Sequence, residues 1–263
     1  MRLAGKTAIV TGATGQFGHV IARAYAREGA DVYLCEWPES AAAVQKLRDE
    51  LKAAGHRAEC GTHDVSTQAG AAELAAAVLK SFGQIDILLN GTSGGGHGRV
   101  FEIAEAAWRK TLDRGVTSYF FTCQQVGKEM ARRGGGKIIN ISSIVGRIGA
   151  GGAVGWGANN GGIDAMTAAL AQELGHYGIN VVALARGATD TTPYPAEAKA
   201  ERLRRLPFNR LGREDDIVGP AIFLATDEAA WIHGSVVYCD GGYVTAAATD
   251  AAYRPTEVPY RGQ

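Results

Sequence analysis

Three glycines and one glutamate near the start of the chain have the spacing of a nucleotide-binding turn. Residues 11–18 read Thr-Gly-Ala-Thr-Gly-Gln-Phe-Gly, with Gly12, Gly15 and Gly18 between a short apolar run and a helical pattern. Glycines in such a turn let the backbone approach a pyrophosphate, whose charge the following helix N-terminus stabilises. Glu36 ends the next apolar run, where its carboxylate can accept hydrogen bonds from both ribose hydroxyls and repel a 2′-phosphate. The spacing favours NAD over NADP, and a glycine turn that binds nothing is the alternative.

The histidines and cysteines lack the spacing of metal ligands. The six histidines and four cysteines are scattered along the chain, with no Cys-x-x-Cys pair. We therefore expect no metal site, and free buried thiols of a cytoplasmic protein rather than disulfides.

The nucleotide-binding motif belongs to an alternating pattern of strands and helices. Short apolar runs predict strands at Thr7–Thr11, Asp31–Glu36, Arg57–Gly61, Ile85–Asn90, Lys137–Ser142, Asn180–Ala185 and Val236–Cys239. Longer alanine-rich stretches predict helices at Phe17–Glu28, Ser40–Ala54, Thr67–Phe82, Ala104–Arg132, Trp156–His176 and Glu214–Thr226. This alternation predicts a Rossmann-like, doubly wound parallel sheet of about seven strands in one α/β domain, with a ligand crevice at the strands' carboxyl ends. We expect the domain to span residues 1–245 and an extended C-terminal arm to follow at 246–263.

Composition excludes several other classes of protein. The 27 basic and 27 acidic side chains give no net charge, whereas a nucleic-acid binder would show a basic excess. No apolar stretch approaches the ~18 residues of a membrane span, and we expect no targeting leader. The 36 glycines in 263 residues are roughly twice the usual share, which indicates local roles for many of them.

Further motifs resemble those of the short-chain dehydrogenase/reductase family over residues 4 to about 245. They are His-Asp-Val at 63–65, Asp-Ile-Leu-Leu-Asn-Gly at 86–91, Asn-Ile-Ser-Ser at 140–143, Leu-Gly-Arg-Glu-Asp at 211–215 and Asp-Gly-Gly-Tyr at 240–243. The resemblance implies an NAD(P)-dependent oxidoreductase fold in which Asp64 meets the adenine and Thr191 the nicotinamide carboxamide. The implied cofactor-binding residues are Gly12, Gly15, Gln16, Phe17, Gly18, Glu36, Asp64, Val65, Asn90, Gly91 and Thr191. Gln16 stands where most members have a glycine.

The catalytic positions depart from the family. Its members reduce ketones or oxidise alcohols with a serine, a tyrosine and a lysine, helped by an asparagine. In this chain the resemblance puts these roles on Ser143, Trp156, Asn160 and Gly115, so only the serine is kept. An indole N–H cannot release its proton near neutral pH, and an uncharged asparagine cannot lower the pKa of a phenol. Losing a positioned acid or base costs about 10²–10⁴ in rate, so we expect standard hydride transfer to be absent or very slow.

Three other residues are candidates for contact with a substrate. His97 lies in a glycine-rich loop, Arg186 replaces a proline at the end of the sixth strand, and Tyr194 lies in the loop that covers the active site in the family. A cation such as Arg186 can hold a phosphate or a carboxylate. The alternatives are a solvated His97 and structural roles for Arg186 and Ser143; Tyr119 is predicted to pack in the core.

Two functions are compatible with this pattern. The first is a non-catalytic member of the family, with or without bound NAD, that assembles as a homo- or hetero-oligomer and supports an active paralogous subunit. The second is an enzyme with redox-neutral or atypical NAD-dependent chemistry that recruits Ser143, Arg186 or His97. Because three catalytic positions are replaced within an otherwise well-kept scaffold, the sequence favours the first.

Overall fold

Seven strands form one parallel sheet in the order β3-β2-β1-β4-β5-β6-β7. The computed structural model describes residues 1–191 and 194–247. The strands are β1 (Thr7–Thr11), β2 (Asp31–Glu36), β3 (Ala58–Thr62), β4 (Ile87–Asn90), β5 (Gly136–Ser143), β6 (Ile179–Arg186) and β7 (Val236–Cys239). All six strand pairings are parallel. The predicted Rossmann-like α/β fold is therefore confirmed.

Helices cover both faces of the sheet. They are α1 (Gly18–Arg27), α2 (Ala41–Ala53), α3 (Gln68–Phe82), α4 (Glu105–Leu112), α5 (Ser118–Arg133), α6 (Val145–Ile148), α7 (Val154–Leu174), α8 (Ala196–Arg205), α9 (Val218–Ala225) and α10 (Tyr243–Ala247). Apolar residues of α1, α2 and α9 pack on one face, and those of α3, α5 and α7 pack on the other. Because both faces are buried, the strands are nearly continuous apolar runs rather than alternating ones.

The chain reverses its direction of winding between β1 and β4, which are neighbours in the sheet although two strands separate them in sequence. In sheets of this kind the loops at the carboxyl ends diverge at that point and leave a crevice. The glycine turn after β1 and the segment after β4 therefore lie at the place where a ligand is expected.

Several predicted elements differ in detail. The helix predicted at Ala104–Arg132 is divided into α4 and α5 by a wide turn at Asp113–Thr117, in which Gly115 leaves helical geometry (φ −111°, ψ −111°). Helices α6, α8 and α10 were not predicted. The charged α8 buries none of its residues, so its sequence carries no apolar stripe. Residues 243–247 are helical rather than extended, and the rest of the predicted arm, 248–263, lies outside the described residues.

Candidate functional site

A cavity of about 330 Å³ opens at the carboxyl edge of the sheet, beside the switch point between β1 and β4. Nine of the predicted site residues line it: Gly12, Gly15, Gln16, Phe17, Glu36, Gly91, Trp156, Asn160 and Arg186. We call this cavity the crevice. The structure thus brings part of the predicted nucleotide-binding turn together with two of the predicted catalytic positions, Trp156 and Asn160.

The glycine turn lets the segments after β1 and β4 touch. Gly12 has a left-handed backbone (φ +64°), and a Cβ there would lie 2.6 Å from the carbonyl oxygen of Gly91. A larger residue at position 12 would therefore push the two segments apart. The turn leads directly into α1 at Gly18, and Gly15 and Phe17, just before that helix, line the crevice. These features fit the pyrophosphate of a dinucleotide.

Glu36 is buried at the end of β2 and is tied to the glycine turn. Its Oε1 accepts hydrogen bonds from the N–H and the hydroxyl of Thr14, both at 2.8 Å, and its Oε2 accepts one from the Trp37 N–H at 3.1 Å. A carboxylate has about four acceptor positions, so one remains for a ribose hydroxyl, fewer than the two contacts that the sequence predicted. Arg114 lies over the Trp37 ring at 4.6 Å and encloses this end of the crevice.

Gln16 connects the glycine turn to the segment after β6. Its side-chain amide donates to the hydroxyl of Thr189 at 2.8 Å and also contacts the hydroxyl of Thr191. A glycine at position 16 could not make this link. Thr191, a predicted cofactor contact, therefore reaches the glycine turn through Gln16 rather than lying free.

Two of the positions to which the resemblance assigns catalytic roles lie on adjacent turns of α7. Trp156 and Asn160 both line the crevice, and the Asn160 amide donates to the Trp156 carbonyl oxygen at 2.8 Å. Asn160 is almost fully buried, and its side chain is used within its own helix. No cation therefore stands one turn below Trp156, and the indole can only donate a hydrogen bond.

The third replaced position, Gly115, is filled from the opposite helix. The side chain of Asn159 occupies the space beside Gly115, so that a Cβ at residue 115 would collide with its amide. The Asn159 Oδ1 accepts a hydrogen bond from the Val116 N–H at 2.7 Å. This bond satisfies a backbone donor that the break between α4 and α5 leaves open.

Ser143, the retained family residue, is buried at the end of β5. Its Oγ accepts a hydrogen bond from the Val145 N–H at 3.5 Å, and it is not among the residues that line the crevice. The neighbouring Ser142 lines the crevice and donates to Asp164 Oδ1 at 2.5 Å. Burial raises the pKa of Asp164, and the Ser142 hydrogen bond opposes that rise. A catalytic role for Ser143 stays a prediction.

The three predicted substrate contacts lie in different surroundings. Arg186 lies over the rings of Phe17 and Trp156, at 5.7 and 5.4 Å from their centroids. His97 is exposed and stacks on Trp156 with 5.8 Å between ring centroids. Tyr194 packs under the guanidinium of Arg202 at 4.1 Å, outside the crevice lining.

The remaining predicted residues contribute less directly. Asp64 is exposed, and its carboxylate accepts from the N–H and hydroxyl of Ser66. Val65 is buried and does not line the crevice. The Asn90 amide donates to Asn140 Oδ1 at 3.0 Å inside the core, and Asn90 does not line the crevice. Tyr119 is buried and donates to backbone carbonyl oxygens, as expected of a core residue.

Within residues 1–191 and 194–247, no cluster of side chains could hold a metal ion. Over the same ranges, no helix is both long and apolar enough to cross a bilayer. All four cysteines lie in the described part of the chain and are free thiols.

Sequence reasoning missed four residues that shape the crevice: Thr14, Ser142, Asn159 and Thr189. All four act through partners distant in sequence, which no local pattern marks. The sequence could have indicated a role for Asn159, because this residue is polar and lies next to Asn160 on a helix that must pack against the sheet.

Comparison with known proteins agrees with this geometry. A family model described as enoyl-(acyl carrier protein) reductase matches residues 12–244. A 7α-hydroxysteroid dehydrogenase structure, complexed with NADH and 7-oxo glycochenodeoxycholic acid, is 30% identical with a TM-score of 0.86, covering 92% of this chain and 95% of its own. A Beutenbergia cavernae structure, assigned as an NAD(P)-dependent gluconate 5-dehydrogenase with NADP at low occupancy, is 33% identical with a TM-score of 0.85, covering 92% and 98%.

A third relative is named as a subunit. The (2S)-[(R)-hydroxy(phenyl)methyl]succinyl-CoA dehydrogenase subunit BbsD of Thauera aromatica is 31% identical over 92% of this chain and 98% of its own length. The chain belongs to the short-chain dehydrogenase/reductase family. That family binds nicotinamide cofactors, and these three relatives are named as dehydrogenases.

A double-mutant cycle tests the packing of Asn159 against Gly115. Asn159→Ala removes the acceptor of the Val116 N–H and is expected to cost about 1–3 kcal/mol of unfolding free energy. Gly115→Ala displaces the same side chain and should cost a similar amount. The double variant should be no less stable than Asn159→Ala alone within about 0.5 kcal/mol, because the added methyl then meets no amide. Denaturant unfolding measures all three, and strictly additive losses would contradict the contact.

Proposed function

We propose that this chain binds NAD(H) without performing the family's standard hydride transfer, and that it acts in the cytoplasm as a non-catalytic subunit beside an active paralogue. The observation that carries the proposal is Trp156, whose indole N–H does not ionise near neutral pH, at the crevice position to which the resemblance assigns the family's tyrosine. Asn160 supplies no charge beneath it, and Asn159 fills the space beside Gly115.

Three features support retained binding of a dinucleotide. The left-handed Gly12 keeps the turn close to Gly91, α1 begins at Gly18, and Glu36 keeps one free acceptor position toward the crevice. When bound, the cofactor supplies a hydride donor or acceptor. Glu36 would hold the adenosine ribose, and its negative charge would disfavour a 2′-phosphate, so NAD is the proposed form.

The subunit role is supported by the kind of change that the crevice has undergone. The replaced positions are well packed and hydrogen-bonded, so the fold is maintained while the acid, the base and their cation are missing. A relative of this chain is named as a dehydrogenase subunit. Assembly with an active chain would require this chain to stay folded even though it performs no catalysis.

Arg186 favours the second candidate function, an enzyme with non-standard chemistry on a carbonyl or hydroxyl substrate. Its guanidinium stands in the crevice without a carboxylate partner among the described residues. A cation there can polarise a carbonyl oxygen or hold a developing negative charge without a tyrosine. It supplies no proton, so such chemistry would be redox-neutral or would take its proton from water.

Cofactor binding can be measured by energy transfer to NADH, because Trp37 and Trp156 both line the crevice. We expect a saturable signal with NADH and at least about tenfold weaker binding of NADPH, since its 2′-phosphate meets the Glu36 carboxylate. Glu36→Gln should reduce the difference between the affinities for NADH and NADPH, whereas Glu105→Gln, at an exposed residue, should leave this difference unchanged. The absence of a saturable signal at millimolar NADH is the result that rejects cofactor binding.

The subunit role is tested by purifying the tagged chain from its native source. A second short-chain dehydrogenase with an intact Tyr-x-x-x-Lys pair should copurify in fixed stoichiometry, and replacing that partner's tyrosine with phenylalanine should abolish the activity of the complex. A homo-oligomer of this chain that turns over a substrate alone would contradict the proposal.

A further inference from the structure

Arg186 is a mostly buried cation that the described part of the protein leaves without a counter-charge. It ends β6, opposite Ser143 in the register of the sheet. The only side-chain hydrogen bond of Arg186 to the described residues runs from Nη1 to the carbonyl oxygen of Gly187 at 3.2 Å. Burial lowers the pKa of the guanidinium below its usual range, although an arginine stays charged at neutral pH.

Nearby carboxylates are engaged elsewhere. Asp216 accepts both arms of the Arg210 fork at 2.6 and 2.9 Å. Asp240 accepts from the N–H groups of Gly242 and Val244, and Glu36 is held by the glycine turn. None of these carboxylates forms an ion pair with Arg186.

The free edge of the guanidinium faces open space. Among the described residues, no fully buried side-chain nitrogen or oxygen lacks a partner. Because Nε and Nη2 of Arg186 have no hydrogen bond to the described protein, both must be accessible from a cavity. Arg186 lines two: the crevice and an adjoining cavity of about 410 Å³, which Phe17 also lines.

The surroundings of this edge select among anions. Nε–H and Nη2–H point in parallel and match the two oxygens of a carboxylate. The rings of Phe17 and Trp156 lie against the guanidinium, so a ligand can approach it only at that edge. This restriction suits a planar carboxylate better than a tetrahedral phosphate. Ile141 and Ile163 add apolar wall to the crevice.

We propose that Arg186 is the anchor of a binding site in the crevice for an organic carboxylate with an apolar body. The carboxylate accepts from Nε and Nη2, and the apolar body lies against Trp156 and the isoleucines. This site goes beyond the proposed function because it does not need the dinucleotide. An unpaired buried charge costs stability unless a ligand completes it, which is a pattern typical of a functional position.

The test is a titration with benzoate, followed by tryptophan fluorescence and by calorimetry, in the absence and in the presence of NADH. Benzoate should bind saturably and perturb the emission of Trp156, and Arg186→Gln should weaken it at least about tenfold. The benzoate affinity of Arg186→Lys should lie between those of the wild type and Arg186→Gln, because lysine keeps the charge but lacks the two parallel N–H donors. Arg213→Gln, in the adjoining cavity only, should bind benzoate as the wild type does.

Three results would overturn the site: unchanged benzoate affinity in Arg186→Gln, equal loss in Arg213→Gln, or phosphate binding as tightly as benzoate at equal ionic strength. Stability gives an independent readout. Without benzoate, Arg186→Gln should unfold at the same or higher denaturant concentration than the wild type, and a lower midpoint would make Arg186 a structural residue. If NADH fails to bind while benzoate binds, the proposed function fails and this site stands.

Discussion

The hydrogen bond from the Val116 N–H to the side chain of Asn159 determines how α7 packs beside the crevice. It fastens the break between α4 and α5 to α7, and it requires that residue 115 have no side chain. The missing Cβ of Gly115 leaves the space that the Asn159 side chain occupies. Gly115 and Asn159 therefore form one packed unit.

The same consistency extends along α7. Trp156 is too large to mimic a tyrosine and uses its ring to contact His97 and Arg186. Asn160, in place of a lysine, is satisfied by the carbonyl oxygen one turn earlier and needs no partner in the crevice. A site that had merely lost its chemistry would leave buried polar groups unpaired, at a cost of about 1–3 kcal/mol each. The described residues contain no fully buried side-chain nitrogen or oxygen without a partner, and the unpaired nitrogens of Arg186 are open to a cavity.

The two ends of the crevice differ in charge. The Glu36 end is acidic and tied to the glycine turn, and the Arg186 end is basic and open. Gln16 spans between them by reaching the threonines after β6. The structure thus combines a glycine turn at the first end with a cation at the second.

The sequence was sufficient to predict the fold and the nucleotide turn, because both follow from local patterns. Strands β1, β2 and β7 have the predicted bounds, and Gly12, Glu36 and Trp156 meet in one crevice. The break at Gly115 was not predicted, since the acceptor that stabilises it comes from another helix. The link from Gln16 to Thr189 joins residues 173 positions apart, and no local propensity encodes such a contact.

The central claim is that the crevice holds a dinucleotide yet lacks the proton donor for hydride transfer. Its most direct test is the rate at which protein-bound NADH is oxidised by a panel of ketones, in the wild type and in the Trp156→Tyr/Asn160→Lys variant. We expect ketones to oxidise NADH bound to the wild type no faster than they oxidise free NADH in solution. The double variant should gain slow reductase activity, limited by Arg186 and Gly115. Catalytic oxidation of NADH by the wild type, with no gain in the double variant, would contradict it.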